Sequence, residues 1–262
     1  MNVSSGEIAK ILEREANLLK PANQYLLKSI QEESSHHLDE SRYDIAGEHH
    51  YVWSISGGDS GDAVYLVGQS RGKGNAEKLR GDSKGVLVSD DYGAYRTLAT
   101  HHQLCFAHLI RHFRDLAQHD GFSDSDKENL RSTYTEIKAI YGDTKEACSG
   151  PDPQGQLVTL TDRLTQVAKV SPSDPSPLKR IKTSLLKNIN KYFTCLLFPA
   201  VALTNNLAER SLRHLVLKRK VSFGVQSVKG AETMSILFSV LLSLRRRDPR
   251  TYFLKCLELR RV

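Results

Sequence analysis

The sequence contains no CxxC pair: Cys105, Cys148, Cys195 and Cys256 are scattered singly along the chain. That spacing excludes the disulfide framework of a small secreted domain and leaves a reducing cytoplasm as the expected compartment. No run approaches the roughly eighteen consecutive apolar residues that suggest a membrane-spanning helix. The N-terminus carries acids and lysines where a signal peptide would have its apolar core. No internal repeat is found. The expectation is a soluble, unsecreted protein with no membrane partner.

What is present is enough chain for one sizeable core plus an insertion: 262 residues, 39% of them apolar. The net charge of +7 and the pI near 9.2 favour a polyanionic partner. The charge is also unevenly placed. From residue 205 onward the chain holds Arg210, Arg213, Lys218, Arg219, Lys220, Lys229, Arg245, Arg246, Arg247 and further cations against four acids.

Residues 5–31 have helical periodicity interrupted by Pro21, which predicts a lead-in helix pair within residues 1–32. Residues 33–118 form the first part of the expected catalytic domain, and between 33 and 106 the period shortens. Tyr51–Ile55, Ala63–Val67 and Gly85–Val88 are short β-rich runs, and Gly57–Gly61 joins the first two of them as a hairpin. A helix near Asn75–Arg80, a strand near His102–Phe106 and a helix over Ala107–Gln118 follow, an order read as three strands, helix, strand, helix, strand. This is an α/β pattern of ribonuclease H-like type. Residues 119–203 are predominantly helical with a Pro/Ser-rich break at Ser171–Pro177, which predicts an inserted helical subdomain. Residues 204–262 return as helices, the first capped by Asn205 or Asn206 and the second, Glu232–Leu244, strongly apolar.

Three acidic signatures stand out: Leu38-Asp39-Glu40-Ser41, Val86-Leu87-Val88-Ser89-Asp90 and Asn205-Asn206-Leu207-Ala208-Glu209-Arg210. A short apolar strand that stops at an Asp delivers a carboxylate to a sheet edge. Three such carboxylates can hold two Mg²⁺ ions about 3.5 to 4 Å apart, the geometry that stabilises both oxygens of an in-line phosphoryl transfer. Each acid also has a structural reading, as a turn former or a helix-dipole partner. Asp90 and Asp91 are adjacent, so a strand would point only one of them into a shared site, and Asp90 is the choice. Cys105 and His108 have the spacing of half a zinc site, yet no second pair completes it. The same alternation separates the members of His36-His37 and of His49-His50. His108, Arg111, Arg210, Arg213, Lys218, Arg219 and Lys220 are candidates for holding DNA phosphates. Arg245-Arg246-Arg247 is explained equally well by a helix C-terminus.

These blocks resemble the bacterial insertion-sequence transposases of the family numbered sixty-six. The Asp-Glu-Thr of that family looks like Asp39-Glu40-Ser41, and its Ser-Asp-Gly-Tyr-x-x-Tyr looks like Ser89-Asp90-Asp91-Tyr92-Gly93-Ala94-Tyr95. Its Cys-x-x-His-x-x-Arg matches Cys105, His108 and Arg111. Its Asn-Asn-x-Ala-Glu-Arg-x-Leu-Arg is met in full from Asn205 to Arg213, followed by Arg219-Lys220 and Phe223-Gly224. The resemblance extends over about residues 1–255. It implies a DDE triad of Asp39, Asp90 and Glu209 that is Mg²⁺-dependent, with Mn²⁺ as substitute. It further implies cutting and joining of double-stranded DNA at transposon ends and target, by a homo-oligomer assembled on DNA in the nucleoid.

Three departures from the family pattern shape the alternatives. Met1 falls just before the catalytic region, where longer relatives carry upstream DNA-binding segments. Asp91 replaces a Gly, adding charge and removing backbone freedom. Ser34-Ser35-His36-His37 replaces an apolar lead-in, which predicts a poorly packed first strand around Asp39. The rival readings are an inactive DNA-binding or assembly remnant and a ribonuclease H-like nuclease that cuts without joining.

Overall fold

The computed structural model describes residues 4–118, 121–222 and 224–260; Phe223 and the first residues of the 119–203 range lie outside them. The chain is α/β. Its elements are α1 (Ser5–Gln31), β1 (Ser35–Ile45), β2 (Glu48–Gly57), β3 (Ala63–Gly68), α2 (Lys73–Arg80), β4 (Val86–Ser89) and β5 (His102–Leu104), followed by helices α3 (Phe106–Ala117), α4 (Asp124–Ser149), α5 (Leu157–Ala168), α6 (Ser176–Tyr192), α7 (Thr194–Leu197), α8 (Asn206–Ser222), α9 (Val228–Arg247) and α10 (Tyr252–Leu259). The five strands follow the order β3-β2-β1-β4-β5. Two compact units divide the chain. Met1–Leu87, Tyr92–Thr100 and Asn206–Val262 form the first; Val88–Asp91 and His101–Asn205 form the second.

In the first unit, β1, β2 and β3 are an antiparallel meander. The β1–β2 turn is two residues, Ala46 and Gly47, both at positive φ (51° and 84°), the handedness that suits a tight hairpin. Alternation along β1 sends two residue sets to opposite faces. Leu38 joins Trp53, Ile55, Val64, Leu87 and Tyr95 in a core closed by Leu26 and Ile30 of α1 and Leu79 of α2. Tyr43 and Ile45 join Val52 and Tyr65 under Leu212 and Leu215 of α8 and Met234 of α9. After α8 the chain returns to the end of β1, where Ala46 N–H donates to Val225 O and Val225 N–H to Asp44 O. Gly224 makes that return possible: its φ is +97°, and a Cβ there would stand 2.0 Å from Asp44 O.

Three expectations are corrected here. The lead-in is one continuous helix with Pro21 inside it, not a pair. It starts at a capping box in which Glu7 N–H donates to Ser4 Oγ and Ser4 N–H to Glu7 Oε2. No helix separates β4 from β5 among the described residues; turns and bends bridge the two strands. The polar lead-in to β1 is not poorly packed, because Ser35, His36 and His37 are all buried. Hydrogen bonding makes this tolerable: His36 Nε2 meets Ser83 Oγ at 3.1 Å.

The second unit is mostly helical and built on one core, in which Phe106, Leu109 and Phe113 of α3 pack with Leu130, Ile137 and Ile140 of α4, Leu160 and Leu164 of α5, Leu185 and Ile189 of α6, and Cys195 and Leu196 of α7. Ser123 starts α4 by accepting from Asp126 N–H. Gln103 of β5 moors two later segments: its Nε2 donates to Tyr192 O and its Oε1 accepts from Cys195 N–H, both at 2.8 Å. Among the described residues no helix is long and apolar enough to cross a membrane.

Candidate functional site

Asp39 lies midway along β1, opposite Ser54 of β2. By alternation it shares a face with His37, Ser41 and Tyr43, the face covered by α8. The next same-face pair along the ladder is His37 and Ser56, and Ser56 Oγ donates to Ser211 Oγ of α8 at 3.1 Å. Glu209 occupies the first turn of α8, two residues before Ser211. The first unit therefore puts Asp39 and Glu209 on the same side of the sheet, and both are half-buried.

The neighbouring acid, Glu40, is on the other face and is spoken for. Its side chain is 1% exposed, pairs with the Arg71 guanidinium at 2.6 Å and accepts from the Tyr95 hydroxyl. Arg71 in turn stacks over the Tyr92 ring, 4.1 Å from its centroid, while the Tyr92 hydroxyl donates to Arg71 O at 2.7 Å. The two tyrosines of the Ser89–Tyr95 block thus brace β1 from the face away from Asp39. Sequence reading missed this role. The signal was the Tyr-x-x-Tyr spacing itself, which was noted but given no contact.

In the second unit Asp90 follows β4 directly and is half-buried. Ser89 Oγ donates to Asp90 O at 2.7 Å and is hydrogen-bonded to His102 Nε2 at 2.8 Å. Asp91 is committed elsewhere, accepting from Ser184 Oγ at 2.6 Å and from Asn188 Nδ2 at 3.5 Å, both on α6. Its backbone carries no left-handed strain, since Ala46 is the one described non-glycine residue at positive φ. Asp90 shares an electrostatic neighbourhood with α3. His112 there is pushed below the ordinary imidazole range by burial and then by His108, with Asp115 and Asp90 pulling upward and Arg111 downward. His108 and Arg111 are both half-buried.

Cys105 has a structural task that sequence reading missed. Its N–H donates to Ser89 O at 2.9 Å, and its Sγ accepts from Asn205 N–H at 3.1 Å. One residue thereby holds the strand end before Asp90 and the segment before α8. Among the described residues no group of three or more His, Cys, Asp or Glu is gathered as a metal-binding cluster, and the Cys105–His108 spacing gains no zinc partners.

The cations of α8 divide by exposure. Arg210, Arg213 and Lys220 fall on an exposed stripe with Leu217, at helical spacing. Lys218 and Arg219 are half-buried and locally engaged: Lys218 Nζ donates to Ser222 Oγ at 3.1 Å, and the Arg219 guanidinium donates to Arg42 O. His214 is lowered by burial and then by Arg245, Arg246 and Arg213, a mark of the positive field where α8 and the end of α9 meet. Arg246 donates to Ser211 Oγ at 3.3 Å, and Arg247 pairs with the buried Asp62, so this basic run is at least partly structural.

The model of the transposase IS66 family matches residues 1–233. The chain belongs to the IS66 transposase family. It is also 27% identical over 217 residues to the uncharacterised protein y4jD of Sinorhizobium fredii (strain NBRC 101917 / NGR234), a match covering 74% of this chain and 41% of that protein. The chain thus spans less than half the length of that relative. The IS66 match runs past β1, β4 and the start of α9, so Asp39, Asp90 and Glu209 all lie inside it.

Proposed function

We propose that the chain is the catalytic part of a DDE transposase, cutting and joining double-stranded DNA with Asp39, Asp90 and Glu209. The observation that carries the reading is the first unit's arrangement, in which α8 brings Glu209 to the Asp39 face of the sheet through the Ser56–Ser211 contact. The meander β1–β3, with α2 crossing over so that β4 lies beside β1, supports a ribonuclease H-like sheet.

Carboxylates are the hard oxygen ligands that Mg²⁺ takes, with Mn²⁺ as substitute, and Asp39, Asp90 and Glu209 are each half-buried within their own unit and not sealed off as Glu40 is. Bound divalent ions would supply stabilisation of the attacking and leaving oxygens of the phosphoryl transfer. Asp39 contributes a carboxylate from a strand braced on its far face, and Glu209 one from the first turn of a helix. Asp90 contributes the third from a strand end fixed by Ser89 and Cys105. Arg210, Arg213 and Lys220 offer phosphate contacts along the exposed stripe, and His108 and Arg111 offer them beside Asp90. Lys218 and Arg219 stand behind these as supports of the α8 end. The nucleoid is the expected place of action, with a homo-oligomer assembled on transposon ends.

The test is an assay of the full chain with Mg²⁺ or Mn²⁺ on supercoiled DNA and on a precut 3′ end. Metal-dependent nicking and joined product, both lost in Asp90→Ala, are expected. DNA affinity with neither metal binding nor nicking would replace the proposal by an inactive remnant. Nicking without joining would replace it by a nuclease.

A further inference from the structure

Two cysteines far apart in sequence meet in the helical unit. On α4 the core-facing stripe runs Ile137, Ile140, Thr144 and ends at Cys148, one turn beyond Thr144. α4 packs against α7, where Cys195 is fully buried, and Cys148 rests half-buried against the same cluster. Neither thiol figures in the reading of the transposase site. Cys105 is occupied with Asn205 N–H, and Cys256 is buried in the other unit.

We propose that Cys148 and Cys195 are a redox pair that closes into a disulfide on exposure to a peroxide, locking the end of α4 onto α7. The Cys195 thiol beside it holds Cys148 low against the opposing effect of burial, while the Cys148 thiol pushes Cys195 up, with burial adding to the rise. Cys148 is thus the better thiolate and the more accessible one, the combination that selects the attacking sulfur. Cys148 S⁻ displaces hydroxide from hydrogen peroxide, giving a sulfenic acid. The Cys195 sulfur then attacks that sulfur, its proton leaves with the hydroxyl as water, and the S–S bond forms. In sum, two thiols and one peroxide give one disulfide and two waters.

The consequence is mechanical. Cys195 N–H is already moored to Gln103 of β5, so the bond ties the last turn of α4 to that anchor and closes residues 148–195 into a covalent loop. A loop of this length restricts the unfolded chain and raises the unfolding temperature.

The experiment is treatment of the full chain with dilute hydrogen peroxide, followed by thiol titration under denaturing conditions and peptide mapping without reductant. Free thiols should fall from four to two, with the Cys148 and Cys195 peptides joined. The melting temperature should rise, and dithiothreitol should reverse both changes. Cys148→Ser should abolish the link, while Cys195→Ala should leave a dimedone-reactive sulfenate at Cys148. Four surviving thiols, a link through Cys105 or Cys256, or overoxidation of Cys148 without linkage in the unaltered chain would each overturn the proposal. The peptide map of that chain decides even where the Cys195 variant fails to fold.

Discussion

Ser56 Oγ on β2 donates to Ser211 Oγ on α8, a buried contact of 3.1 Å between a strand and a helix that are 155 residues apart. Ser211 also donates to Leu207 O and accepts from Arg246, so one hydroxyl joins β2, α8 and α9 within two residues of Glu209. Ser211→Ala is expected to cost about 1 to 2 kcal/mol, because Ser56 is left buried with one partner fewer. Nicking should fall further than the stability loss explains, since Glu209 loses its local anchor. Chemical denaturation alongside the nicking assay checks this, and unchanged activity at lowered stability would count against the anchoring role.

Adjacent acids on opposite faces of β1 should separate cleanly. Glu40→Gln removes the charge that holds Arg71 and Tyr95, at an expected cost of about 2 kcal/mol, softened by the half-exposed Arg71. Asp39→Asn keeps the side chain's shape and an oxygen for the Glu40 N–H, so it should leave stability within about 1 kcal/mol, yet abolish metal-dependent nicking. Measuring both variants by denaturation and by nicking settles it; the reverse pattern would assign the chemistry to Glu40.

Much of this geometry was legible in the sequence, and the reasons for the rest are physical. The β-rich runs at 51–55, 63–67 and 85–88 and the helices after 106 stand where periodicity puts them. The full span of β1 was obscured because His36 and His37 occupy inward positions where an aliphatic pattern is sought. Their burial depends on partners such as Ser83, which lies 47 residues from His36 and which no local window contains. Pro21 misled because tertiary packing of Leu19 and Leu26 carries α1 through it. Glu209 stood out by its dense motif, and the structure puts it in the first turn of α8. Alternation and the family motif singled out Asp90 over Asp91, but no local window shows what Asp91 does, because its partners Ser184 and Asn188 lie more than ninety residues away on α6.

That engagement yields a prediction about the departure from the family pattern. Asp91→Gly restores the usual residue but removes the bonds to Ser184 and Asn188. A loss of about 1 kcal/mol is expected, with the added backbone freedom of glycine contributing. Hydrogen exchange should quicken in α6 while remaining unchanged in α5. If exchange in α6 stays slow, Asp91 does not hold that helix.

The α8–β1 junction should be intolerant of any side chain at residue 224. Gly224→Ala forces a Cβ against Asp44 O in a left-handed conformation. An expected cost of about 1 to 3 kcal/mol follows from the strain alone, and the bonds between residues 44–46 and Val225 would part to relieve the clash. Gly47→Ala is the control, since its φ is also positive but nothing lies within 4 Å of the added Cβ. Thermal melts of the two variants compare them, and equal losses would show that backbone strain matters more than the contact with β1.

Burial lowers the pKa of His36, with nearby Arg80 adding to the drop while the Ile30 backbone and Glu33 oppose it. The imidazole is fully buried against Ser83, so the folded state resists protonation more than the unfolded chain does. The unfolded state therefore binds more protons once pH falls below the ordinary histidine pKa of about 6.5, and stability declines with falling pH from there toward the lowered folded value. Above that range His36 is neutral in both states and contributes no pH dependence. Thermal midpoints taken between about pH 7.5 and pH 5 should drop for the unaltered chain, and the drop should be shallower in His36→Gln, which retains a hydrogen-bonding group toward Ser83. Parallel curves for the two proteins would place the acid sensitivity at another group, and the polar start of β1 would then owe nothing to a neutral histidine.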